Sequence, residues 1–210
     1  VVLHNPSPAE LAVSLSVTFD QPIGDTQPMV EVGLEFASGD HTIQFAGDER
    51  VTCDGANLSL KDRAAVFQVL RAPAVQEVGK TVHCDYVAGG AVAGISLQIP
   101  SAPAITSPQS SAQVRRSAET LVTYRYDAAT GTVLGIVAVG LPASPMPKAI
   151  ARLNTPSPLR ATIDTSRFAS GSGSLALTMS LKPHIATTGV PFKSADAFGI
   201  ATVLAAVTWI

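Results

Sequence analysis

Apolar and polar side chains alternate with period two over much of this chain. Leu11, Val13, Leu15, Val17 and Phe19 fall on one phase, and Ser14, Ser16 and Thr18 on the other. The next run repeats the pattern, with Val30, Val32, Leu34 and Phe36 inward and Glu31 and Glu35 outward. Such alternation marks a strand with one face in a core and the other in water. Shorter runs of the same kind occur at Ile43–Phe45, Val51–Cys53, Val82–Cys84–Tyr86 and Ile95–Leu97–Ile99. Helical spacing is nearly absent. Leu60–Ala72 fits both templates, and its β-branched residues favour a strand.

Pro100 to Pro108 reads as a stiff linker that flows into a first strand, because prolines do not sit inside a sheet. The alternation restarts at Val122–Tyr124–Tyr126, followed by a turn over Asp127–Gly131. Val133–Val139 is apolar on both phases, as expected of a central strand covered on both faces. Leu159–Ala161–Ile163 and Leu175–Leu177–Met179–Leu181 are further strands, Ser170–Ser174 reads as a turn, and Gly199–Ile210 is a closing strand. The fold class expected is all-β: two tandem antiparallel β-sandwich domains, immunoglobulin-like in strand count, covering 1–102 and 103–210. A closed barrel in either half is the alternative. The halves share a pattern but no residue-level repeat.

Composition narrows the partners. Charged residues are 14% of the chain and the net charge is −2, with Arg115 and Arg116 the densest basic spot. Nucleic acid and anionic membrane surfaces need clustered Lys and Arg, so neither partner is expected. Val133–Leu141 is short and runs into a proline-rich stretch. Ala197–Ile210 is uncharged but shorter than the roughly 20 residues of a spanning helix, so no membrane insertion of this segment is expected. A natural chain continuing past Ile210 would weaken that reading. Val1 is not a natural start, which leaves room for a cleaved leader.

The segment Pro103–Tyr126 resembles the opening of bacterial immunoglobulin-like or fibronectin-III-like modules. It has an Ile-x-Ser-Pro start (Ile105 to Pro108) and a Leu–aromatic second strand (Leu121 to Tyr126). The resemblance implies a spacer, adhesive unit or accessory domain of a surface protein. The first half departs from the antibody pattern. Its two cysteines lie closer in sequence than an immunoglobulin core pair, no Trp lies between them, and Tyr86 follows the second cysteine.

Few residues invite chemistry. Cys53 and Cys84 are the only cysteines, both sit on the inward phase, and together they suit one intradomain disulfide. The alternative is a pair of free core thiols. His4, His41, His83 and His184 are scattered without metal-ligand spacing. His83 and Asp85 flank Cys84 on the outward phase, where an exposed polar face is the plain account. A Ser-His-Asp triad assembles from distant positions, so sequence does not decide it, but the G-x-S-x-G elbow is missing. Among the loop acids Asp20, Asp25, Asp40, Asp48, Glu49, Asp54 and Asp62, only Asp48, Glu49 and Asp54 flank one strand closely enough to suggest calcium. A solvated loop is the default there, so no metal and no cofactor are expected. Tyr124 and Tyr126 share a face with Val122, which favours core packing over a sugar-stacking platform.

The function expected is a non-enzymatic structural or adhesive module pair of a secreted or cell-surface bacterial protein, with a protein or surface polymer as partner. One alternative is an accessory or weak glycan-binding pair of a secreted hydrolase. Another is a homo-oligomer or extracellular filament in which the strand at Val203–Ile210 is shared between neighbours.

Overall fold

The alternating runs form strands because each strand turns every second side chain to the same face. A computed structural model describes residues 2–4, 6–21, 27–39, 41–44, 49–58, 65–141, 149–152 and 159–210. In chain order the strands are β1 (Val2–His4), β2 (Ala12–Asp20), β3 (Met29–Ala37), β4 (Thr42–Gln44), β5 (Arg50–Cys53) and β6 (Ala56–Asn57). Then come β7 (Val66–Pro73), β8 (Thr81–Ala88), β9 (Ala91–Gln98), β10 (Ala104–Ser107), β11 (Ala112–Val114) and β12 (Thr120–Arg125). The last are β13 (Gly131–Gly140), β14 (Ala149–Arg152), β15 (Arg160–Ile163), β16 (Gly171–Leu181), β17 (Ile185–Gly189) and β18 (Ser194–Trp209). Among the described residues, helix is confined to single turns at Pro8–Glu10 and Ala74–Glu77. No helix there is long and apolar enough to cross a membrane. The protein is all-β. Among the pairs whose register is described, β1·β4 and β11·β18 are parallel and the others antiparallel.

The chain divides into two units, each gathered from three segments. The first takes Val1–Thr18, Val30–Pro100 and Lys182–Gly199; the second takes Phe19–Met29, Ser101–Leu181 and Ile200–Ile210. One boundary between them falls at Pro100/Ser101, and neither unit is one contiguous stretch. In the first, β17 comes from far along the chain and adds to the edge of β9, with Ile185 opposite Leu97 and Gly189 opposite Ala93.

The first unit is a sandwich. One layer holds β2, β3 and β7 as neighbours, and the other is the five-stranded sheet β17–β9–β8–β5–β6. Between them lie Leu11, Val13, Leu15, Val17, Val30, Val32, Leu34 and Phe36 from one side, and Val82, Cys84, Tyr86, Ile95 and Leu97 from the other, all buried. Each such Leu, Val or Phe contributes roughly 1.5–3 kcal/mol relative to exposure. The Phe36 and Tyr86 rings meet at 5.4 Å across the core, and the Tyr86 hydroxyl donates to the Pro6 carbonyl at 2.7 Å. The ambiguous 60–72 run is a strand where it is described, as β7. Residues 59–64 lie outside the described residues.

The second unit faces β10–β12–β15 against β14–β13–β16–β18. Val122, Tyr124, Ala161 and Ile163 pack toward Ile136, Ala138, Leu175, Leu177 and Met179, all buried. Three expectations change here. Val133–Val139 is apolar on both phases not because both faces are covered, since Leu134 is 57% exposed. A register shift between Val133 and Gly135 switches the inward phase from Val133 to Ile136 and Ala138, as an inserted residue does. Leu159 is not a core strand residue. It has φ 69°, lies just before β15 and is 55% exposed.

Ser170–Ser174 is mostly strand rather than turn, since β16 begins at Gly171. Its glycine at 173 answers a close approach. A Cβ there would overlap Trp209 Nε1 and come within 2.5 Å of the Val139 carbonyl oxygen. Gly140 is similarly placed, its Cβ position 2.8 Å from both Trp209 Nε1 and Phe168. Trp209 thus brings the Nε1 edge of its indole against two bare stretches of backbone. It donates to the Val139 carbonyl at 3.1 Å and packs on Phe168 at 5.3 Å.

Candidate functional site

The disulfide forms as expected, joining Cys53 to Cys84 with their Cα atoms 4.1 Å apart. Its placement differs from an immunoglobulin core pair, which joins two sheets. Cys53 and Cys84 are register partners on the adjacent strands β5 and β8 of one sheet. Both are buried, so the bond staples two neighbouring strands on their inward face.

On the opposite face of β8, His83 and Asp85 meet as their shared phase implied, with Nε2 3.1 Å from Asp85 Oδ1. A third residue, not singled out from the sequence, completes the group. Ser96 on β9 lies directly across from His83, and its Oγ is 2.8 Å from His83 Nδ1. Gly94 lies across from Asp85 and makes the arrangement possible. A Cβ there would overlap Thr188 Oγ1 and come within 3.0 Å of Asp85 Oδ1 and His83 Cε1. The missing side chain is the space in which the imidazole spans the two strands. Asp54 holds the backbone beneath: its Oδ1 accepts from the His83 N–H at 2.9 Å, and its N–H donates to the His83 carbonyl at 2.8 Å.

Protonation follows from the partners. An ionised Asp85 carboxylate only accepts, so a neutral His83 carries its proton on Nε2. Nδ1 is then an acceptor, and the Ser96 hydroxyl donates to it. The chain Ser96 Oγ–H to His83 to Asp85 is the connectivity of a serine–histidine–carboxylate triad. It differs in being half open to water, the His83 and Asp85 side chains being 42% and 34% exposed.

Among the described residues the remaining candidates do not converge. His41 and His184 are exposed on separate loops, and His4 lies in β1. Asp48 lies outside the described residues, and the Asp54 side chain is engaged by the His83 backbone. Among the described residues no three His, Cys, Asp or Glu side chains are grouped to hold a metal. An open cleft of about 450 Å³ is lined by Leu3, Glu10, Ser38, His41 and Lys193. Its Glu10 carboxylate is already taken, accepting from the Ser7 N–H at 2.8 Å and the Ser7 hydroxyl at 3.0 Å. Tyr86, Tyr124 and Trp209 are buried, as core packing required. Tyr126 is half-buried and stacks on Tyr124 at 6.2 Å.

No family model matches the chain, and no curated protein matches it. Among solved structures it is similar to a crystal structure of the titin domains z1z2 in complex with telethonin. The identity is 10% and the TM-score 0.25, over 96% of this chain and 93% of that one. The β-sandwich assignment rests on the sheets and cores described above.

Proposed function

We propose that this chain is a pair of β-sandwich modules with a structural or adhesive role in a secreted or cell-surface bacterial protein. The observation that carries the reading is the buried Cys53–Cys84 bond, because structural disulfides persist where the surroundings are oxidising. A surface with few charges and many small polar residues is consistent with it, as is the resemblance of Pro103–Tyr126 to bacterial surface modules. The partner is a protein or a surface polymer.

The two alternatives have less support. A glycan-binding sheet needs a row of exposed rings, yet among the described aromatics only Phe198 is exposed, with Phe192 and Tyr126 half-buried. A filament formed by lending the last strand needs that strand unpaired. Here Val207 and Trp209 pair with Ala112 and Val114 of the same chain, and Val203, Ala205, Val207 and Trp209 are buried. Fractionation of the native source tests the proposal. The chain is expected in the extracellular or envelope fraction, and recovery from the cytosol alone would overturn the placement.

A further inference from the structure

We propose that Ser96 is a nucleophilic serine, activated by His83 and positioned by Asp85, that accepts a single acyl group from an activated ester or thioester. This goes beyond a structural role and does not depend on where the protein resides.

The Ser96 Oγ lies 2.8 Å from His83 Nδ1 and Asp85 Oδ1 lies 3.1 Å from Nε2, so in the neutral tautomer that carries its proton on Nε2 the Ser96 hydroxyl donates to Nδ1. In the step, Ser96 Oγ attacks the acyl carbon while His83 Nδ1 takes the hydroxyl proton. The bond to the leaving oxygen or sulfur breaks, and that atom departs with the proton His83 returns. The products are O-acyl-Ser96 and the free alcohol, phenol or thiol. The residues next to Ser96 on this face are Gly94 and Gln98 along β9 and Ala186 across on β17, and Ser96 is only partly buried, so a donor reaches its hydroxyl from the solvent side.

The same strand limits the reaction to one turn. Residues 93–97 of β9 are paired on both sides, by β8 and by β17, so their backbone N–H groups belong to the ladders. None is left beside Ser96 to stabilise an oxyanion, the contribution on which hydrolase turnover chiefly depends. An activated donor can acylate Ser96, but water removes the group slowly. The site is therefore an acceptor that stays loaded.

The full oxidised chain is mixed with p-nitrophenyl acetate, the p-nitrophenol release is followed, and the acetylated peptides are mapped by mass spectrometry. The expected result is a burst equal to the protein concentration, with acetyl on Ser96 at about 100-fold the rate of any other serine, as general-base assistance supplies. Ser96→Ala abolishes the burst. Asp85→Asn slows it about 10-fold or more, while Asp85→Glu recovers part of the rate, which a merely structural carboxylate would not do. Acetyl confined to lysines, steady turnover without an acyl-serine, or an undiminished burst in Ser96→Ala would each overturn the proposal. The mapping on the unaltered chain decides even where a variant fails to fold.

Discussion

The two units fix their strands by different means. The first staples neighbouring strands covalently through Cys53–Cys84 and leaves the outer face of that sheet to the polar group around His83. The second has no cysteine. It seats its large indole on backbone from which side chains have been removed at Gly140 and Gly173, with Thr120 and Thr165 hydrogen-bonded at 2.7 Å in its buried interior. A covalent staple tolerates loose neighbours because it acts mainly on the unfolded chain. A fitted indole depends on every atom around it. The contrast predicts that one unit is sensitive to redox state and the other to single methyl groups.

Four changes break or sharpen that contrast. Trp209→Ala has the largest effect, because it empties a fully buried site and removes the hydrogen bond to the Val139 carbonyl. A loss of about 3–5 kcal/mol is expected in urea unfolding followed by circular dichroism. Replacing both cysteines by serine removes a cross-link between residues 31 apart and costs about 3–4 kcal/mol by the chain-entropy relation. A dithiothreitol-treated parent chain should unfold at the same midpoint as that variant.

Gly173→Ala drives a methyl group into Trp209 and costs about 1–3 kcal/mol. Trp209 is the only Trp in the chain, so its fluorescence reports that change directly. The smallest effect is at the Pro8–Glu10 turn. The Ser7 N–H and then its hydroxyl hold the Glu10 carboxyl below its ordinary value. The ionised form is favoured by folding, so this contribution is full above the ordinary glutamate range and fades as the pH falls through the lowered value. Ser7→Ala should move the Glu10 titration, read by NMR, part of the way back up.

The strands were legible because alternation survives wherever one face is buried and one is wet. The core positions of β2, β3, β8 and β16 follow from it directly. The triad partner of His83 was within reach as well. Gly89 and Gly90, with φ 55° and 81°, form the two-residue hairpin turn between β8 and β9. Counting back from the Ala88–Ala91 pair places His83 opposite Ser96 and Asp85 opposite Gly94.

Other features were not legible, for physical reasons. The bulge at Val133–Gly135 leaves no mark beyond an apolar run on both phases. The Ser170–Ser174 stretch has the composition of a turn, but its glycine at 173 serves an indole 36 residues further on, as the positions 173 and 209 show. The recruitment of 182–199 into the first unit depends on long-range pairing of β17 with β9, and local pattern carries no record of partners.

The central claim is that this is an oxidised sandwich protein from outside a reducing compartment. Its most direct test is the thiol content of protein isolated natively under alkylating, denaturing and non-reducing conditions. The account predicts an unalkylated chain in which mass mapping finds the Cys53 and Cys84 peptides joined. Two alkylated cysteines in every molecule would contradict it.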